Sequence, residues 1–254
     1  MALIKHGFPI LEYDDAQSAV IMPDRAGEYQ FPEYAVFPFL GEEVDAFARA
    51  NGCPVIGEFV NATKTFPVYQ VTYKERNICL CQAPVGAAAA VQLMDWLIGY
   101  GAKKIISAGS CGVLVPMEEN EFLIPTTALR CEGTSYHYLP PSRTVEADPN
   151  SVAAIERAFI RNSVRYSKCK TWTTDGFFRE TKDMVEYRKA EGYTVVEMEC
   201  SALMACAQFR SVRFGQFLYT ADTLADVDAH DDRDWGQASV CEALQLCLDA
   251  VIEL

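Results

Sequence analysis

Five stretches of this chain combine reactive or polar residue types with positions at the ends of predicted strands, where α/β sheets place their sites. Val196-Glu197-Met198-Glu199-Cys200 sets two carboxylates around a methionine. An ionised carboxyl is an acceptor-only group that can take two O–H bonds at once. Read structurally, the same residues are a strand-to-helix junction with acids beside a helix N-terminus. Gly109-Ser110-Cys111-Gly112 reads as a tight turn after a strand, a geometry in which backbone N–H groups form an anion nest. Gly133-Thr134-Ser135-Tyr136-His137-Tyr138 holds a histidine between two tyrosines, either a satisfied core histidine or part of an aromatic pocket. Thr174-Asp175-Gly176-Phe177-Phe178 ends in an aromatic pair whose ordinary fate is the core. The Arg179 and Glu180 that follow it are harder to dismiss as core. Tyr219-Thr220-Ala221-Asp222 ends the last strand on a carboxyl, and Asp226, Asp228 and Asp231 would raise its pKa if they lie close.

The elements that must carry these stretches alternate between strand and helix patterns. Residues 66–73 and 77–82 flank Lys74-Glu75-Arg76 as a hairpin, and 87–100 reads as a helix closed by Gly99 and Gly101. Residues 103–108 form a short apolar run suited to a strand buried on both faces. Strands follow at 121–129, 169–174, 194–197 and 213–220. Helices follow at 151–162, 181–190, 199–209 and, amphipathic, 237–251. Such alternation predicts an α/β fold: a single domain with a central mixed, largely parallel sheet flanked by helices. The proline-rich residues 1–61 are expected to be irregular and to wrap the core or a neighbouring subunit.

Composition excludes other classes. The 254 residues can bury a sizeable core without staples, and a net charge of −13 opposes nucleic-acid binding. No apolar run reaches the ~18–20 residues that span a bilayer. The N-terminus turns acidic within its first 15 residues without a cleavable-signal pattern, so a soluble cytoplasmic protein is expected. Ten cysteines scattered through apolar segments read as buried reduced thiols. With three histidines and no C-x-x-C, no metal site is expected. The glycine-rich nucleotide cradles and the G-x-S-x-G elbow are absent. Asp226-x-Asp228 fails as a calcium loop, with Asp231 at the glycine position and Gln237 at the glutamate position.

In their order and spacing, the five stretches resemble the nucleoside phosphorylase family, which includes purine nucleoside and uridine phosphorylases. The resemblance runs from about Ala83 to the C-terminus and more loosely from His6. It implies a ribose site at Glu197, Met198 and Glu199, with the methionine under the sugar and Glu199 accepting from its vicinal hydroxyls. It implies a phosphate site at Gly109 and Ser110. Phe177, Phe178, Arg179 and Tyr136 would face the base, and His137, in a run seen in uridine phosphorylases, or Asp222, at the position where purine-type members protonate N7, would serve catalysis. His6 matches by position a histidine that reaches into an adjacent subunit's site. The implied reaction is cleavage of a nucleoside N-glycosidic bond by phosphate as co-substrate, without cofactor, in a homo-oligomer built from dimers.

The departures concern the anion and the base. The family's G-D-P-x-R is missing, its nearest equivalent being Met22-Pro23-Asp24-Arg25, and Ser107 replaces the arginine three residues before the family's serine. Arg25, Arg130 or a cation from a neighbouring subunit are the candidate substitutes. Without one, water becomes the nucleophile, as in the related nucleosidases, or the protein binds nucleosides without turnover. The glutamine and arginine of the pyrimidine pattern are Thr181 and Asp183 here. His137 therefore points to uridine and Asp222 to a purine.

Overall fold

A computed structural model describes residues 3–24 and 29–254. Its strands are β1 (Tyr34–Val36), β2 (Val55–Val60), β3 (Thr65–Tyr73), β4 (Arg76–Leu80), β5 (Lys104–Val113), β6 (Phe122–Cys131), β7 (Thr144–Glu146), β8 (Tyr166–Thr174), β9 (Val195–Glu197) and β10 (Arg213–Thr223). The helices are α1 (Glu43–Ala50), α2 (Ala87–Gly99), α3 (Pro149–Arg161), α4 (Lys182–Ala190), α5 (Cys200–Phe209) and α6 (Val240–Val251).

All ten strands join one mixed sheet, in the order β10-β6-β8-β9-β5-β1-β4-β3-β2 with β7 on β6. Because β10 also pairs with β5, the strands β5, β10, β6, β8 and β9 close into a ring, and β1, β4, β3 and β2 extend from it as a wing. Closure is a feature that periodicity does not report. It encloses a small apolar cluster of Cys111, Val113, Leu123, Cys169, Val195 and Leu218. Outside, two helix layers sandwich the sheet. Side chains such as Leu93, Met94 and Leu97 of α2 and Leu203 and Met204 of α5 pack on one face. Val44 of α1, Ile155 and Phe159 of α3, and Leu244 and Leu248 of α6 pack on the other. Neighbouring residues Ile105 and Ile106 of β5 point into opposite layers, as a strand covered on both faces requires.

Local chemistry sets the element ends. Lys74 and Glu75 both adopt positive φ, 44° and 64°, the conformation of a two-residue hairpin turn. The Asp148 carboxylate accepts from the amides of Asn150 and Ser151, and Pro149 opens α3 where a missing N–H costs nothing. Seven of the ten cysteines are buried, Cys79 and Cys81 in the same apolar layer.

Three expectations need correction. Residues 1–61 are not irregular throughout, since β1, α1 and β2 lie within them and β1 is an interior strand between β4 and β5. Three-residue β1 and flanking prolines hid this, because a strand hydrogen-bonded on both sides needs no long periodic run. The strand starting near 103 does not stop at Ala108 but continues through Val113, so Gly109-Ser110-Cys111-Gly112 is strand rather than turn. Its small residues are packing positions: a Cβ on Gly109 would stand 3.3 Å from the Phe39 Cβ, and one on Gly112 2.9 Å from the Leu224 Cδ1. The segment that follows β1 is Phe37-Pro38-Phe39-Leu40, whereas Met22 and Pro23 line a separate cavity beside α2.

Candidate active site

The site gathers where β5, β9 and β10 end and α2 and α5 begin. At the β9–α5 junction, the buried Glu197 accepts four hydrogen bonds: Thr171 Oγ1 at 3.1 Å, Thr173 Oγ1 at 2.6 Å, and the amides of Glu199 and Cys200 at 2.7 Å each. Both oxygens are used, two bonds apiece, so Glu197 holds the first turn of α5 in place of a conventional cap. The expectation that Glu197 binds a sugar is corrected accordingly: its lone pairs are already committed.

Glu199, fixed by that junction, is 7% exposed and turns into the cleft. Its Oε1 accepts from the Gly86 amide at 2.5 Å, at the N-terminus of α2. Gly86 adopts φ +97°, which a side chain would oppose, so glycine is required to aim that amide. Burial first, and then the charge of Glu197, push Glu199 up to about 8. Met198 lines the same cleft, a cavity of about 180 Å³ that Gly109, Ser110 and Asp222 also border. Ser110 is the exposed residue of a buried strand, so its hydroxyl faces the cleft. The expected turn nest is not formed, because Gly109, Ser110 and Cys111 run in register with β10 and Gly112 with β9 as strand.

Asp222, 5% exposed, bonds through Oδ2 to His230 Nε2 at 2.9 Å. That bond raises the His230 pKa. The acidic 222–234 segment is therefore not a free solvated loop. Thr223 and Asp231 form an isolated bridge, Arg233 donates to the carbonyls of Ala221 and Met117, and Lys182 pairs with Asp228. Next to the cleft opens a second cavity of about 510 Å³, walled by Phe177, Phe178, Leu224, Val227 and Trp235. Phe177, Glu180, Asp222 and Trp235 border both spaces. Phe177 and Phe178 are 42% and 92% exposed, so they are wall rather than core. Glu180, pushed up to about 7 chiefly by burial and then by Asp222, is the carboxyl at the junction.

Other expected residues lie elsewhere. His137 lines a third cavity, about 690 Å³, with Tyr138, Asp95 and Arg210, and not the cleft. Tyr136 donates to the Arg130 carbonyl and lies under the Arg130 guanidinium, 4.3 Å from the ring centre. Arg130 itself is 4% exposed and spends its guanidinium on Ser135 and Ser142 hydroxyls and the carbonyls of Pro140 and Leu139. It pins the 135–142 segment with four of its five N–H donors, and it does not border the cleft. Arg179 is exposed and borders neither cleft nor adjoining cavity; Glu180, its neighbour, does. His6 sits on the exposed N-terminal segment with its Nδ1 accepting from the Phe8 amide at 3.0 Å. Arg25 lies outside the described residues. Among the described residues bordering the cleft there is no lysine, arginine or histidine. Ser107 is buried and pairs in register with Gln216, and neither the Ser107 hydroxyl nor the Gln216 side-chain oxygen Oε1 has a partner among the described residues.

Sequence reasoning missed His230, Trp235 and Phe39. His230 carried a signal, as the single histidine within an acidic run; the tethering that turns it inward is tertiary.

The fold and sequence were compared with known proteins. Among solved structures, uridine phosphorylase from Vibrio fischeri ES114 superposes with a TM-score of 0.76 at 20% identity, covering 89% of this chain and 94% of that one. AMP nucleosidase from Bacteroides thetaiotaomicron VPI-5482 gives 0.73 at 22% identity, covering 91% and 97%. In sequence, guanosine phosphorylase of Halorubrum lacusprofundi is 22% identical over 204 residues, which is 78% of this chain and 85% of that protein. No helix of the described chain is long and apolar enough to cross a membrane. Residues 33–253 match the family described as the Phosphorylase superfamily, and the chain belongs to it.

Proposed function

We propose that this protein cleaves the N-glycosidic bond of a purine nucleoside, with phosphate as the pentosyl acceptor. One observation carries the reading: the Glu199–Met198 cleft opens directly into an aromatic cavity across Asp222 and Glu180. Ribose in the cleft would place its vicinal hydroxyls against Glu199 and its C1′ toward the cavity that holds the base. The transition state is an oxocarbenium-like cation, and a cleft bordered by carboxylates stabilises positive charge there without reorganising. No cofactor is needed, since the chemistry rests on positioning and electrostatics. The purine assignment is favoured because acidic side chains, Asp222 and Glu180, stand where the cleft meets the base cavity, as protonation of a purine leaving group requires, whereas the His137 stretch that pointed to uridine lies in another cavity. Homo-oligomerisation, with His6 directed to a neighbouring subunit, belongs to the same proposal and is supported by the sequence resemblance, as is a cytoplasmic location.

A second reading, transfer to water, is favoured by a specific observation: no described residue bordering the cleft is cationic, and apolar Phe39 and Val85 share its lining with Ser110. The test is release of base from inosine, adenosine and uridine with and without phosphate. Phosphate-dependent release with pentose 1-phosphate as product supports phosphorolysis; equal rates without phosphate assign water as acceptor. Nucleoside binding without release under either condition refutes both.

A further inference from the structure

Departure of a nucleobase requires a proton on the leaving group, and the cleft holds two carboxyls placed to give one. Asp222 is engaged: His230 Nε2 sits 2.9 Å from Oδ2, and His230 Nδ1 is 3.5 Å from Asp232 Oδ1, so the imidazole lies between two carboxylates. That hydrogen bond occupies Asp222 Oδ2 and gives Asp222 a partner. Glu180 is the other. It precedes the Thr181 cap of α4, borders both the cleft and the aromatic cavity, and its carboxyl has no hydrogen-bond partner among the described residues. Two carboxyls sharing one space do not both ionise readily, and the one without a cationic partner retains the proton.

Resting on the N-glycosidic reading, we propose that Glu180, not Asp222, is the general acid that protonates the departing base. The C1′–N bond breaks with its electron pair going to the base nitrogen, and the Glu180 O–H proton passes to the base. The acceptor oxygen bonds to C1′ and gives up its own proton, which returns to the Glu180 carboxylate directly or through solvent. Asp222 keeps its hydrogen bond to His230 throughout. Its charge holds the proton on Glu180, while the charge of His230 opposes it. Asp226, Asp232 and Lys182 are the other titratable groups around the cavity.

The acid must be protonated to act, so kcat/KM on inosine falls as pH rises through about 7. The decisive experiment compares inosine with p-nitrophenyl β-D-ribofuranoside, whose leaving group departs without a proton. Glu180→Gln is expected to lower kcat/KM on inosine by about 10²–10⁴-fold and on the nitrophenyl riboside by less than about tenfold. Glu180→Asp, a shorter acid, is expected to recover part of the loss. In Asp222→Asn the alkaline limb on inosine moves to lower pH, and in His230→Gln it moves higher. Equal losses on both substrates in Glu180→Gln, or an inosine-selective loss confined to Asp222→Asn, overturn the assignment. A wild-type protein that cleaves neither substrate overturns the N-glycosidic reading itself, and the assignment with it.

Discussion

Replacing Glu197 by alanine tests how the cleft is built. The carboxylate takes two threonine hydroxyls and two amides of the first turn of α5. Thr173 Oγ1 also accepts from the Ser201 amide at 3.0 Å and stays partly engaged, while the Thr171 hydroxyl has no other partner among the described residues. Loss of the helix-capping bonds costs about 0.5–2 kcal/mol, and each buried donor left unsatisfied about 1–3 kcal/mol. Against this, removing a carboxyl whose pKa is raised by its own burial recovers part of a desolvation cost. The net expectation is a loss of about 2–4 kcal/mol, and at about 2–4 °C per kcal/mol for a chain of this size the Tm falls by about 4–16 °C. Glu197→Gln retains one acceptor oxygen of two and turns an NH₂ group toward two donors, so it should fall between alanine and wild type. Chemical denaturation at fixed protein concentration, with an unchanged m value, is the assay. Activity should drop at least about 100-fold in the alanine variant, because Glu199 loses the bond that positions its backbone. A shift under about 2 °C would refute the junction role. Full stability with lost activity would assign Glu197 to direct substrate contact instead.

Glu199→Gln should lower nucleoside kcat/KM by about 10²–10³-fold, measured by steady-state kinetics, with little change in Tm below about pH 4.5, measured by calorimetry. Glu199 also makes stability and binding depend on pH. Its folded pKa, about 8, lies above the ordinary 4.5, so its stabilising contribution is complete below about 4.5 and disappears as pH rises through about 8. Denaturation midpoints should decline across that window and flatten in Glu199→Gln. Ribose hydroxyls donating to Glu199 favour the carboxylate, so nucleoside binding at pH 7 should release protons; titration calorimetry in buffers of different ionisation enthalpy measures this, and uptake would contradict it. Arg130→Ala should cost about 2–4 kcal/mol by orphaning a buried network while leaving the phosphate KM unchanged; a raised phosphate KM would restore Arg130 to the anion site. In Gly112→Ala the new Cβ would stand 3.2 Å from Asp222 Oδ1 and 2.9 Å from Leu224 Cδ1, so activity should fall more than stability.

The fold class and most elements from the first hairpin onward, β7 and the end of β5 apart, are legible in the chain's patterning, and the order of its motifs groups Glu197-Met198-Glu199 with Phe177 and Asp222. Period-two and helical patterning and cap residues such as Thr181 are local, and local physics is written along the chain. Tertiary structure decided the rest. Ring closure through the β5–β10 pairing made a strand of what glycine content presented as a turn. Contacts distant in sequence committed Glu197 to internal bonds, the folding-back of residues 135–142 did the same for Arg130, and His137 was sent to another cavity. The tethered acidic segment brought His230 onto Asp222. A side chain's chemistry is fixed by its type, but whether its lone pairs or protons remain free depends on neighbours that only folding supplies.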